Sequence, residues 1–532
     1  VLEGFDTPTQ VDVSELPITV QLQAGVPKVR KWVRVEGLSS GAKVGVHNNS
    51  LPNVLRALAE RVYLVKKDGV LQRPPQALEG VFKSRLGAFA SGLGRHLGKL
   101  TPYTQEEFLS TYSGAKRKVY ERAFESLQAS PFSRIDGRLK SFVKAEKLQL
   151  YAKPDPAPRI IQPRDVRYNA VLGPFVKRLE HRLYKAIGRM FPDRGVTVMK
   201  GLNAVDSATV LRAKWDMFAK PVGVGMDASR FDQHVGQQAL RYEHGVYKRA
   251  YPGYEAELGP VLAMQLENRG VVLLPEARVT YVVQGNRMSG DMNTSCGNCL
   301  LMCAMVHAYA AERGVRVCLA NNGDDCMVIM ESEDLERFSA GLEQWFVDMG
   351  FTMLLEPPRY VFEQLEFCQT KPVYNGTEWV MCRSPVAGLN KDTMCLKPDW
   401  TRLVASMHAW MHDVGTCGLA VSIGVPIMCR LYDILAGCKE GKVLDVMNVH
   451  GGLGAASLGL SDRVTRRAVD APISPMARVS FYEAWGIMPE TQIAVEELLA
   501  GRPVPTTVTH ESCDWDSKGI RTLFELAADG EI

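Results

Sequence analysis

No cysteine precedes Cys296 in this 532-residue chain, and the twelve from there on never form a short-spaced Cys/His quartet. That spacing excludes a zinc-finger type of site, and Cys326 adjoins an apolar run. Buried free thiols in a reducing compartment fit better than a disulfide framework. No apolar run reaches the roughly 18 residues a membrane helix requires. The nearest, Val414 to Cys429, is interrupted by glycines, a serine and Pro426. No signal peptide is visible. The chain opens on Val1 rather than methionine, which leaves open a trimmed chain, a processed product or the downstream part of a larger translation product. The Gly-rich basic stretch 86–100 lacks the terminal Gly-Lys-Ser/Thr of a P-loop and reads either as a loop or as a loosely packed amphipathic helix. A large excess of one charge sign is absent too. A net charge of +4 excludes a uniformly basic polyanion binder.

Composition is that of an ordinary globular protein, 46% apolar and 23% charged, long enough for a large core and several subdomains. Basic charge is concentrated between Asp136 and Arg167, where eight Lys or Arg face four Asp or Glu. A local strip of this kind suits a channel for polyanions. Within it, residues 153–164 carry four prolines and are expected to be extended and stiff. Apolar spacing predicts helices over 53–68, 105–128, 174–190, 233–250, 254–268, 292–312 and 332–348. Strands are expected at Ile18 to Leu22, Trp32 to Val35, Val222 to Met226, 361–368 and 371–383. The last 130 residues or so read as mostly helical, with a break at Pro503 to Pro505.

Residues 315–331 read VRVCLANNGDDCMVIME. A Gly-Asp-Asp between two apolar, β-branched-rich runs predicts a hairpin with two adjacent carboxylates at its turn. Such a pair is costly to hold together unless cations sit between or beside it. A third carboxylate, Asp227, closes the apolar strand VGVGMD. If these strands are neighbours in one sheet, the three acids meet at one edge. Two divalent ions about 4 Å apart, held by converging carboxylates, are what nucleotidyl transfer needs. Magnesium is the natural hard ion and manganese a substitute. Taken singly, Asp227 reads equally well as a helix N-cap, and the Asp pair as turn chemistry.

Five ordered segments over roughly 140–375 decide between these readings. FVKAEKLQLYAKPDPAPRIIQPR (142–164) resembles polymerase motif F, GMDASRFDQH (225–234) motif A, and GNRMSGDMNTSCGN (285–298) motif B. ANNGDDCMVI (320–329) resembles motif C and LEFCQTKPV (365–373) motif E. The chain thus resembles the RNA-dependent RNA polymerases of positive-strand RNA viruses, most closely the tombusvirus-like (Tombusviridae) plant replicases. The resemblance implies that Asp227 and Asp324 hold two Mg2+ ions, with Asp325 contributing from farther out. It implies that Asp232, Asn298, Ser289 and Thr294 read the ribose, so that a deoxynucleotide leaves polar groups unpaired. Gly290 is expected to let template or nucleotide backbone approach closely. Arg159 is expected against the incoming nucleotide, with Lys144, Lys147, Lys153 and Arg164 lining its tunnel or touching template phosphate, and Glu146 orienting the cluster.

One departure from the family stands out. Many such enzymes carry a lysine after motif C that is proposed to protonate pyrophosphate, and residues 331–370 contain none. Arg359, Lys371, a motif F group or water are the alternatives. The resemblance implies an α+β right-hand fold, closed by fingertips. Residues 1–50 would bridge fingers and thumb, and 51–214 would form the fingers. Residues 215–235 and 281–375 would form the palm, 236–280 a fingers insertion, and 376–532 the mostly helical thumb and tail. Implied partners are RNA template and product strand, nucleoside triphosphates, an auxiliary replication protein and host factors. The expected place of action is the host cytoplasm, at membrane-associated complexes reached through other proteins or an absent upstream region. Initiation without a primer is expected. The competing readings are a reverse transcriptase or DNA polymerase, and an RNA-binding scaffold with an inactive palm.

Overall fold

Valine and methionine alternate with glycine along Pro221–Ala228 (β1), giving the strand one apolar face and one nearly bare face. The computed structural model describes residues 1–35, 38, 42–67, 69–438 and 452–500. In it β1 joins an antiparallel sheet with Cys318–Asn322 (β2), Asp325–Glu331 (β3) and Met353–Leu355 (β4), in the order β2-β3-β1-β4. Val222, Val224 and Met226 of β1 lie with Cys326, Val328 and Met330 of β3 in one core. Met327 and Ile329, on the alternate positions of β3, belong to a second core. Gly223 is needed on that second face. A Cβ there would stand 2.2 Å from Leu365 Cδ2, so only glycine lets the chain around Leu365 close onto the strand.

The first core is built from Val81–Leu97 (α1), Val166–Gly188 (α2), Gln237–Ala250 (α3) and Thr294–Arg313 (α4). The helix α4 is buried along almost its whole length, from Cys296 to Ala310, as expected of a helix apolar on all sides. The second core packs helix Ala204–Trp215, the hairpin Thr370–Tyr374 with Trp379–Arg383, and the C-terminal helices against the sheet. A separate four-stranded sheet pairs Ile18–Leu22, Ala277–Gln284, Glu267–Leu273 and Leu139–Lys140, in that order. The N-terminal segment therefore enters this sheet through Ile18–Leu22. It also pairs Lys31–Arg34 with Met394–Cys395 from the C-terminal part. The architecture is α+β, as the resemblance implied. The cysteines from Cys296 to Cys429 are all free thiols. Among the described residues no helix is long and apolar enough to cross a membrane.

Several element boundaries differ from the sequence reading, each for a local reason. The helix expected over 53–68 ends as α-helix at Leu58, widens into a π-turn at Ala59–Tyr63, and gives way to strand at Val65–Lys67. The span 105–128 is two helices, Gln105–Ser110 and Gly114–Ala129, because the break turns Tyr112 onto Phe108 and Tyr120. The former starts with a Thr104–Glu107 capping box. Helix α2 begins at Val166, capped by Asp165, and runs through Pro174 rather than starting there; buried packing on both sides of Pro174 offsets the lost bond. The span 233–250 is interrupted before Gly236, and the helix expected over 254–268 stops at Ala263 ahead of a strand. Positive φ at Gly341 divides 332–348 into short pieces. Residues 361–368 hold a 3-10 turn, not a strand, and 371–383 folds as a hairpin. The stretch 86–100 falls largely within α1. Cys513 and the break at Pro503 to Pro505 lie outside the described residues.

Candidate active site

The Gly-Asp-Asp turn is a two-residue loop between Asn322 and Asp325, which face each other across β2 and β3. Gly323 takes φ +85°, the left-handed conformation its leading turn position requires. The buried Asn321 side chain braces the loop, donating to Gly323 O at 2.7 Å. Antiparallel register then sets Asp325 directly opposite Asp227 on β1. The three acids thus share one sheet edge, brought together by strand pairing of segments some 100 residues apart. Their carboxylates reach solvent at the floor of a recess. Burial raises the proton affinity of Asp324, and repulsion from Asp232 adds to it. Burial does the same to Asp325, with Asp324 and Asp227 adding and hydrogen bonding to Cys368 opposing. Among the described residues no three ligating side chains are gathered into a finished metal cage. The set nevertheless fits hard divalent cations that take part of their shell from water and substrate phosphate: it is all oxygen, mutually repelling and open to solvent.

Asp232 lies beyond the end of β1, and its carboxylate accepts from Ser289 Oγ and, at 2.8 Å, from Asn298 Nδ2. Asn298 is held in that orientation from behind, because its Oδ1 accepts from Arg287 Nε at 2.8 Å. Arg287 is fully buried against Glu243, which also accepts from Tyr247 Oη at 2.7 Å and Asn293 Nδ2 at 2.7 Å. Burial works against both charges, but each partner more than offsets it: Arg287 is held above its usual value and Glu243 below. Asn293 in turn receives from Gln265 Nε2 at 2.7 Å. A continuous polar network therefore fixes which way the Asn298 amide faces.

A cavity of about 280 Å³ opens over this edge. Asp227, Asp324, Asp232 and Ser289 form one side of its lining, and Arg61, Arg159 and Arg230 supply the cations. Arg159 is exposed, and Glu146 bridges it at 2.9 Å to Lys144 at 3.0 Å, the orienting role expected of Glu146. Arg61 comes from the π-turn. Its Nε is buried without a partner among the described residues. Burial, then Arg230 and Arg159, push its proton affinity down to about 10. Arg230 takes φ +50° and latches the same π-turn through the Glu60 and Leu64 carbonyls. Three guanidiniums face the cavity across from its carboxylates, an arrangement suited to a polyanion that bridges the cations and metal ions held by the acids. Lys153 is exposed and within the fields of Arg61, Arg230 and Asp227.

Other expected residues lie elsewhere. Arg164 is fully buried on Asp291 at 2.6 Å and Gly137 O at 2.7 Å, so it braces the fold instead of lining a tunnel. The Lys147 ammonium donates to Lys391 O over the Trp410 ring, and burial pushes its proton affinity down to about 8. Thr294 Oγ1 donates to Met288 O at 2.7 Å, closing its own loop. Gly290, at φ +130°, does admit a close backbone, but it is that of Pro163 in this chain, 3.1 Å from a built Cβ. Neither expected proton donor is at the carboxylates. Lys371 donates to Ala484 O at 2.9 Å over Trp485. Arg359 is held through its backbone to Gly223, four residues up β1 from Asp227.

Sequence reasoning missed Arg61, Arg230, Arg287 and Glu243. Arg230 and Arg287 stand inside the quoted motif segments, whereas nothing in the local sequence marks Arg61 or Glu243. A family profile described as viral RNA dependent RNA polymerase matches residues 18–501. The chain is 41% identical over 495 residues to the RNA-directed RNA polymerase of tobacco necrosis virus (strain A), covering 93% of this chain and 67% of the relative. It is 38% identical over 530 residues to that of oat chlorotic stunt virus, covering 96% and 69%. It is 39% identical over 501 residues to that of tomato bushy stunt virus (strain Cherry), covering 93% and 59%. The chain therefore spans roughly three-fifths to two-thirds of the length of these relatives.

Proposed function

The chain belongs to the viral RNA-dependent RNA polymerase family, and from that premise we propose that it copies RNA by two-metal nucleotidyl transfer at the edge formed by Asp227, Asp324 and Asp325. The observation that carries this reading is the cross-strand pairing of Asp227 with Asp325 beside the Asp232–Asn298 pair. Bound divalent cations would neutralise the transferred phosphoryl group and make the 3′-hydroxyl a better nucleophile. Asp227 and Asp324 are the residues that would hold them. Arg61, Arg159 and Arg230 bind the triphosphate, as supported by their shared cavity beside the carboxylates. Asp232, with Asn298 and Ser289 bonded to it, receives the ribose 2′-hydroxyl, so a deoxynucleotide leaves a buried polar group unpaired.

On this reading the four-stranded β2-β3-β1-β4 sheet is the palm, and the Glu267–Gln284 sheet belongs to the fingers. The C-terminal helices form the thumb. Pairing of Lys31–Arg34 with Met394–Cys395 supports the N-terminal segment as the bridge that closes the hand. Packing of the C-terminal part close to the Gly-Asp-Asp turn is consistent with primer-independent initiation. The test is incorporation of labelled ribonucleotides on an RNA template with magnesium. Asp227→Ala and Asp324→Ala each abolish product while leaving thermal unfolding nearly unchanged. Template-dependent synthesis that survives either substitution would refute the proposal.

A further inference from the structure

A cation that neither the resemblance nor the nucleotide cavity uses stands beside the Gly-Asp-Asp turn. The Lys200 ammonium lies 4.0 Å from the point where a side chain on Gly323 would begin. Its backbone is held there firmly. Thr197 and Met199 bond Asn321 on the open edge of β2, with Asn321 N donating to Thr197 O at 2.9 Å and Met199 N to Asn321 O at 2.8 Å. A turn at Gly201, φ +83°, then leads to Asn203, whose Oδ1 caps helix Ala204–Trp215 by accepting from Val205 N and Asp206 N. Lys200 is thus the tip of a turn clamped on one side by the sheet and on the other by a capped helix. The ammonium itself joins no ion pair and no hydrogen bond among the described residues.

Lys200 does not line the nucleotide cavity. It lines a second one of about 350 Å³, with Asn322, Cys368 and Arg383 and with apolar walls from residues such as Leu202 and Met381. Of the two cations there, Arg383 is committed to the buried Asp392. The Gly-Asp-Asp turn stands between the cavities, Asp324 facing one and Asn322 the other. A strand whose 3′-hydroxyl reaches Asp227 and Asp324 from the second cavity must cross the turn at Gly323. In doing so it carries its last internucleotide phosphate past Lys200. We propose that Lys200 grips that phosphate and so positions the growing RNA strand for attack. The proposal rests on the polymerase reading above and adds a strand contact to it. An unpaired ammonium beside an apolar-walled cavity matches the chemistry of a nucleotide strand, anionic at each linkage and apolar on the base faces.

The experiment compares dinucleotide-primed extension by wild type, Lys200→Gln and Lys200→Arg. One primer carries a normal phosphate at its single linkage and the other an uncharged methylphosphonate. In wild type, the neutral linkage raises the primer KM about tenfold, as loss of a charge-assisted bond should. Lys200→Gln raises the KM of the normal primer to a similar degree and no longer distinguishes the two primers, while the KM for nucleoside triphosphate stays within about threefold. Lys200→Arg retains most of the discrimination. Fluorescence anisotropy of primer–template binding without nucleotide reads the same contact apart from chemistry. There Lys200→Gln lowers the salt-dependence slope by about one. Equal penalties for the neutral linkage in wild type and Lys200→Gln would overturn the proposal. So would a loss confined to the nucleotide KM, which would mark Lys200 as a triphosphate or pyrophosphate group. If wild type binds primer–template with the predicted phosphate dependence yet makes no product, the polymerase reading fails and the strand contact stands.

Discussion

Replacing Asn298 with alanine removes two bonds at once: the 2.8 Å donation to Asp232 and the 2.8 Å acceptance from Arg287 Nε. Their consequences separate cleanly. Asp232 keeps its bond from Ser289, so the ribose reader is loosened but not dismantled. On the proposed reading a ribonucleotide uses the oriented pair through its 2′-hydroxyl, and a deoxynucleotide gains nothing from it. The lost stabilisation therefore falls on the ribonucleotide alone. A bond to a charged group is worth about 1.5–3 kcal/mol, so the ratio of kcat/KM for ATP over dATP should fall by about ten- to a hundredfold. Most of that fall should come from the ATP value. The fold also loses stability, by about 1–3 kcal/mol, because the buried Arg287 Nε is left without its acceptor. The assay is single-nucleotide incorporation on one RNA template with each nucleotide, beside urea unfolding of both proteins. A ratio that stays within about twofold of wild type, in a variant destabilised as expected, would refute the ribose-reading role and leave Asn298 a bracing residue only.

Two further outcomes test the surroundings of the site. Glu243→Gln leaves the buried Arg287 without an ionised partner, and should cost about 3–5 kcal/mol in urea unfolding. It should also narrow the ATP-over-dATP preference, because Arg287 no longer holds the Asn298 amide in place. Lys147 is held near 8 by burial, below its ordinary value of 10.5, so between those two pH values the unfolded chain binds the extra proton. Stability from this group is therefore complete above 10.5 and lost as pH falls through 8, by at most about 3 kcal/mol. Urea midpoints for wild type should rise from pH 7.5 to 10 more than those of Lys147→Met, and parallel curves would show that the ammonium is not buried.

The chemistry-bearing motifs were legible because they are local. Gly-Asp-Asp between two apolar runs declares a hairpin, VGVGMD declares a strand ending in an acid, and Asp232 and Asn298 stand in recognisable segments. The same locality misassigned four basic or polar groups. Arg164, Lys147, Thr294 and Lys371 look available in the sequence, but each is consumed by a partner distant in space or by its own loop. Helix boundaries failed where geometry interrupted a continuing apolar pattern: at the break between Ser110 and Gly114, at Gly236 and Gly341, and in the π-turn at Ala59–Tyr63. Periodicity reports which face is apolar, not whether the backbone can continue.

The sequence by itself determined the family, the α+β character, the identity of the carboxylates and the Asp232–Asn298 pair, because these depend on residue type and short spacing. Tertiary structure alone decided what those groups meet. Strand register put Asp325 opposite Asp227. Packing of the π-turn delivered Arg61 to the cavity over the carboxylates, and an edge bridge to Asn321 set Lys200 beside Gly323. Cations act over a few ångströms whatever their separation along the chain. Lys200 was one lysine among many in the sequence, and only its place 4.0 Å from the Gly323 Cβ position singles it out.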